Sequence, residues 1–185
     1  MDIKELKEAL DAFIKNELPN LQKMEDYYNG AHKILKKENR TSDKEDSKLV
    51  NNYPEYITTI ATAYFLGKPI AYGLQDDKLK KDFEKLSDYL ATEEEQQENY
   101  EHSQNCSIFG KSYELWYKNV DNTIDNVVVD PRDCFILRDN TVKKNIIAAV
   151  RWDKVKNQDD KWLYTLEVYD DKTVTTYEYI NDSDK

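Results

Sequence analysis

Two histidines, two cysteines and several acidic pairs are the side chains of this sequence with chemistry to offer, and their spacing argues against most of it. His32 and His102 belong to no H-E-x-x-H and no C-x-x-C…H arrangement, so the expected reading for both is solvent-facing and no metal site is expected. Cys106 falls in a helical stretch of small residues and Cys134 in a strand. With no neighbour in sequence to lower a thiol pKa, both read as buried small hydrophobes. No G-x-S-x-G, Walker A or G-x-G-x-x-G motif is present, and four glycines cannot build a phosphate cradle. Catalytic carboxylates need one member in an apolar pocket to raise its pKa. Asp76-Asp77, Glu93–Glu95, Asp159-Asp160 and Asp170-Asp171 instead fall in turns or at helix starts, where carboxylates are solvated and structural. Asp130-Pro131-Arg132-Asp133 is a turn by chemistry, with Pro presetting φ and Asp accepting local N–H bonds, and a salt bridge from Arg132 is a secondary option. The expectation is no catalytic residue, no cofactor and no metal; a hydrolase with unrecognised motifs is the weakest of the function classes.

The elements around these residues change character near Gly110. Ile3, Leu6, Leu10 and Phe13 mark a first amphipathic helix ending before Pro19, and Leu21, Met24, Tyr28 and Leu35 continue a helical stripe interrupted or ended at Gly30. Lys36–Ser47 has no apolar residue and reads as a solvated loop. Asp76 or Asp77 can cap a helix whose Leu79, Phe83, Leu86 and Leu90 form a core stripe. Thr92-x-x-Glu95 has capping-box spacing and opens a further helix ending at Gly110, with small inward residues Ser103, Cys106 and Ser107. Beyond Gly110 the period becomes two. Tyr113, Leu115 and Tyr117 alternate with Glu114, Trp116 and Lys118. Val127–Val129, Phe135–Leu137 and Ile146–Trp152 are further strands, the run IIAAV suggesting burial on both faces. Trp162, Tyr164, Leu166 and Val168 alternate, as do Thr175, Tyr177 and Tyr179, and Asp121-Asn122 and Asp170-Asp171 supply hairpin turns. About five helices followed by antiparallel strands make an α+β protein, with residues 1–110 mainly helical and 111–185 mainly β, within one structural unit.

Val50–Tyr72, VNNYPEYITTIATAYFLGKPIAY, is the most punctuated segment. Asn52 or Tyr53 caps a helix with Pro54 in its first turn, and Ile57, Ile60, Ala61 and Tyr64 form a stripe expected to be its buried face. Gly67 is expected as a left-handed residue ending the helix, with Pro69 blocking its return and Pro69–Tyr72 extended. The Asn51-Asn52-Tyr53 entry, the Tyr64-Phe65-Leu66-Gly67-Lys68-Pro69 exit and the aromatic segment after it resemble the N-terminal region of siphophage-type portal proteins. Three further pieces resemble that family in the same order: Tyr27-Tyr28-Asn29-Gly30, the step from helix through Gly110 to Tyr113 and Glu114, and the Asp130-Pro131-Arg132 turn. The resemblance runs from about Tyr27 to Trp152. It implies a structural, wing-like portion of a portal ring at a capsid vertex, the DNA-packaging channel and head–tail connector. The implied partners are other portal subunits, capsid and scaffold, terminase and head–tail adaptor proteins, and the implied location is the virion, with assembly in the host bacterial cytoplasm. Since portal proteins are considerably longer, the chain is expected to be truncated at its C-terminus, as an engineered fragment or a prophage remnant. The competing class is a small acidic, non-catalytic interaction module from a prophage or mobile element.

Composition bounds these readings. A chain of 185 residues with 39% hydrophobic and 35% charged residues can build a core yet remains heavily solvated. Fourteen tyrosines suit half-buried sheet positions and interfaces. A net charge of −10, from 37 acidic and 27 basic residues, opposes a broad grip on phosphates, so no tight DNA binding is expected. The same charge weighs against Tyr113–Lys118 as a base-stacking platform. No signal peptide is visible, two cysteines make no disulfide framework, and no apolar run approaches the roughly 20 residues a bilayer span requires.

Overall fold

The computed structural model describes residues 2–38, 47–75 and 77–181. Five α-helices, α1 (Ile3–Asn16), α2 (Leu18–Tyr28), α3 (Tyr53–Leu66), α4 (Lys80–Leu90) and α5 (Glu93–Phe109), precede six strands. The strands are β1 (Tyr113–Lys118), β2 (Ile124–Val129), β3 (Cys134–Arg138), β4 (Ile146–Lys156), β5 (Trp162–Tyr169) and β6 (Val174–Asn181). The fold is therefore α+β. The compact units cut across the helix-to-strand order at residue 110: one joins Met1–Leu21 to Val129–Lys185, and the other is Gln22–Val128.

The first unit packs α1 on a four-stranded antiparallel sheet of order β3-β4-β5-β6. Asp2 and Glu5 form a reciprocal capping box at the start of α1, which then buries Leu6, Leu10 and Phe13 as the helical period requires. Phe13 stacks on Phe135 at 5.1 Å between ring centroids and meets the edge of Trp152. From there a ladder of rings crosses the sheet, Trp152 to Tyr164 to Tyr179, with the Lys7 ammonium 4.0 Å above the last. The alternation expected in β5 holds: Tyr164, Leu166 and Val168 are buried and Trp162 is half-buried. In β6, Tyr177 and Tyr179 are half-buried while Thr175 is exposed. The expectation for IIAAV is corrected, because β4 buries one face only (Ala148, Val150, Trp152) and leaves Ile146 and Ile147 exposed. Each large apolar side chain buried here contributes about 1.5–3 kcal/mol, and together they form an ordinary hydrophobic core.

The second unit is built differently. Its helices α3 and α5 pack together, α4 lies against α5, and β1 and β2 form a two-stranded sheet turned by Asp121-Asn122, with Asn122 at φ 70°. Among its described residues, the buried side chains are Thr58, Thr62, Glu95 and Asn126, all polar. The stripe expected to be the core of α4 is only half-buried at Phe83 and Leu90 and exposed at Leu79 and Leu86. Asp77 opens a short 3₁₀ turn before α4, whereas Asp76 and residues 39–46 of the expected solvated loop lie outside the described residues.

Candidate functional site

The Tyr-Tyr-x-Gly and Asn-Asn-Tyr positions singled out in the sequence meet in the second unit at the chain's turn from α2 into α3. Gly30 ends α2 with φ +75°, and the Gly30 and Ala31 amides donate back to the Tyr27 and Asp26 carbonyls. That is a complete left-handed helix stop, which a glycine adopts without steric cost. Asn52, at the cap position of α3, makes no capping bond to its own helix. Its Nδ2 donates instead to the Tyr28 carbonyl at 2.8 Å and to Glu55 Oε2 at 2.7 Å, so one amide ties the end of α2 to the start of α3. A Cβ on Gly30 would touch that amide at 3.5 Å. Tyr28 reaches the other way and accepts a 2.6 Å bond from Gln104 of α5; burial raises its phenol pKa. Tyr27 tilts against His32 at 4.9 Å, and His32 is half-buried with an unpartnered Nε2, correcting the solvent-facing expectation. The Tyr-Tyr-x-Gly and Asn-Asn-Tyr segments are thus a single structural joint.

Helix α3 inverts its expected orientation. Tyr53, Tyr56, Ile57, Ile60 and Tyr64 do share one helical face, as the period predicts, and that face points outward, with Tyr64 94% exposed. The buried face is Thr58 and Thr62, packed on α5, where Ser107 Oγ donates to Thr58 Oγ1 at 3.3 Å. Of the small residues of α5 expected to face inward, Ser103 is half-buried, whereas Cys106 and Ser107 are exposed. Gly67 is another correction: it adopts a right-handed conformation, φ −66° and ψ −6°. Glycine is needed there because a Cβ would collide with the Ala63 carbonyl oxygen. Leu66, Gly67, Lys68 and Pro69 line a cavity of about 160 Å³ with Leu90, Gln96 and Asn99, and Pro69–Tyr72 joins no sheet. Phe65 is 75% exposed, and Asn51 and Lys68 face solvent.

The remaining motif pieces also have structural partners. Gly110 ends α5 at φ +71° with its amide bonded to the Cys106 carbonyl, and Tyr113 begins β1 half-buried. In the first unit, Asp130 accepts from the Arg132 amide at 2.8 Å and from its guanidinium at both carboxylate oxygens, while Pro131 is fully buried. Trp152 then donates from its indole to the Arg132 carbonyl at 3.0 Å and from its amide to the Asp133 carbonyl at 2.9 Å. The Asp-Pro-Arg segment is both a turn and an ion pair, and it fastens β4. Burial works to raise the Asp130 carboxyl, and the hydrogen bonds and charge of Arg132 outweigh it, leaving that pKa below its ordinary value.

A family model described as phage portal protein, SPP1 Gp6-like, matches residues 8–184. The chain belongs to that family. A search of curated proteins found no match. As a portal-family chain it has a structural role at the vertex where DNA is packaged and head joins tail, and among its motif residues Gly30 and Gly110 stop helices, Asn52 ties α2 to α3 and the Asp130–Arg132 turn clamps β4.

Sequence reasoning missed one feature of this portal chain. Glu95 is buried, and only half of the expected capping box forms: Thr92 accepts the Glu95 amide, while the Glu95 carboxylate turns inward. There it accepts from Asn99 Nδ2 at 3.2 Å and Asn126 Nδ2 at 3.4 Å, and Asn126 also donates to Glu114 and accepts from the Tyr89 hydroxyl. Asparagine in mid-strand, where it is disfavoured, was the available signal. Among the described residues, no group of three His, Cys, Asp or Glu side chains is arranged to hold a metal ion, and no helix is long and apolar enough to cross a membrane.

Proposed function

We propose that this chain is the wing-like part of a portal ring, a non-catalytic wall and docking element whose α3 face packs against a neighbouring subunit. One observation carries the reading: the second unit buries polar side chains and displays its apolar ones. A helix that is apolar around most of its circumference belongs inside a larger assembly. Among the 14 residues of α3, Glu55 is the one charged side chain, in a chain that carries −10 overall. Copies with that charge repel at long range, so they make contact where charge is scarcest and apolar area greatest. A ring interface is heterologous, which means α3 meets a different surface of its neighbour. Capsid, scaffold, terminase and tail adaptor are the further partners of such a ring, and any ATP hydrolysis belongs to the terminase.

The test is native mass spectrometry of the full gene product, with Ile60→Glu beside it. A closed ring is expected, with Ile60→Glu remaining folded and shifting the population to single subunits. A full-length product that is monomeric at assembly concentrations would overturn the ring, and a ring unaffected by Ile60→Glu would remove α3 from its interface.

A further inference from the structure

We propose that the β3–β4 hairpin is the surface by which one copy of the chain grips the next. Val142 enters the cavity at the end of α3 in the neighbouring copy, and Lys143 and Lys144 face the glutamates that open its α5. The proposal rests on the ring reading above and names the second surface of its heterologous contact. Asp139 is the one acidic residue of the hairpin, and its carboxylate is occupied within the loop. It accepts from the Thr141 amide and hydroxyl at 3.2 and 2.6 Å and from the Asn145 amide and side chain at 2.9 and 2.8 Å. The Lys144 amide donates back to the Thr141 carbonyl, and the Arg138 guanidinium to the Lys144 carbonyl, each at 3.0 Å. A loop held in this way is preorganised, so little freedom is lost when it binds. Val142 is left fully exposed, with Ile146 and Ile147 exposed behind it. Lys143 and Lys144 are exposed too, and neither pairs with an acidic side chain among the described residues. Arg138, Lys143 and Lys144 against Asp139 make this hairpin positive on a chain of net charge −10.

The receiving surface has the complementary character. Helices α3 and α5 run antiparallel, since Thr58 meets Ser107 while Leu66 shares a cavity with Gln96 and Asn99. The end of α3 therefore lies beside the start of α5, with the cavity of about 160 Å³ between them. Leu66, Pro69, Ile70 and Leu90 give it apolar walls, and Lys68 is the one base lining it. An apolar space of about 150 Å³ holds a benzene-sized group, which is more than a valine side chain needs. Glu93 and Glu94 are exposed, and Glu93 lies one turn before Gln96 on the same helix face. Helix α5 as a whole carries five glutamates and no lysine or arginine. An apolar knob flanked by lysines thus matches an apolar pocket flanked by glutamates, an interface core inside a charged rim. The two surfaces belong to different units of the chain, so copies joined through them are related head to tail, as a ring requires. Opposite charges meet at the contact although whole copies repel at a distance.

Two measurements on the full gene product test this, in a Cys106→Ser background that removes the exposed thiol. Copies carrying Val142→Cys, mixed with copies carrying Ile70→Cys and oxidised, should form a disulfide between the two, read by mass spectrometry. Lys143→Glu with Lys144→Glu should raise the concentration for half-assembly by at least about tenfold. Glu93→Lys with Glu94→Lys should do the same, and assembly should return when the two reversed sets are combined. All four of these side chains are exposed, so the fold should survive each exchange. A ring that forms without the disulfide would overturn this contact and leave the ring standing. Charge reversals that have no effect, or that fail to restore one another, would overturn it equally. A parent product that stays monomeric would remove the ring and this contact together.

Discussion

Asp130 shows how one short motif can be turn, ion pair and clamp together. Its carboxylate holds the Arg132 amide and guanidinium, and the Arg132 carbonyl in turn receives the Trp152 indole. Because the Asp130 pKa lies below its ordinary 3.8, its contribution is present above that value and is lost as pH falls through the folded value. Asp130→Asn keeps the shape and removes the charge. It should lower the stability of the first unit by about 1–2 kcal/mol at pH 7, with the difference from the parent shrinking below pH 4. Urea unfolding followed by tryptophan fluorescence at pH 7 and pH 3 measures both effects. An equal loss at the two pH values would mean that the charge is idle and the turn geometry alone matters.

At the scale of elements, the contact between α3 and α5 is made by hydroxyl groups rather than by an apolar seam. Thr58 and Ser107 satisfy one another across it, whereas Thr62 Oγ1 is buried without a partner. An unsatisfied buried hydroxyl costs about 1–3 kcal/mol, and valine has nearly the same shape without that penalty. Thr62→Val should therefore stabilise the second unit by about 1 kcal/mol, while Thr58→Val, which removes the acceptor of the Ser107 hydroxyl, should be neutral or destabilising. Hydrogen exchange in α3 and α5 separates the two. Equal effects would show that the hydroxyls play no part in the helix contact.

At the scale of the whole molecule, the net charge of −10 governs how the chain meets nucleic acid. A portal passes DNA, and a surface of this sign disfavours phosphates that come within a screening length of roughly 8–10 Å. Binding of duplex DNA at physiological salt should be negligible in an anisotropy titration. Sub-micromolar binding that weakens steeply with added salt would reveal a basic patch and revive a nucleic-acid-binding role.

The sequence by itself determined what depends on neighbours along the chain. The helix stops at Gly30 and Gly110, the capped start of α5 at Thr92, the alternation of β5 and the hairpin turns are set by local sterics and local hydrogen bonds. The family resemblance drew on two of those stops, Gly30 and Gly110, together with the Asn51–Tyr53, Tyr64–Pro69 and Asp130–Arg132 pieces. Tertiary structure alone decided which face of an element is inside. The stripe of Ile57, Ile60, Ala61 and Tyr64 was visible in the 3.6-residue period, yet periodicity fixes only that residues share a face; whether the face turns inward depends on what packs opposite. Helix α5 offers the Ser107 hydroxyl there, and the threonines of α3 went in while the aromatics stayed out. Glu95 follows the same logic, because its burial depends on Asn126, 31 positions away in sequence. Only the fold brings that amide within reach of the carboxylate, where it joins the bond from Asn99 one helical turn away in making the burial tolerable.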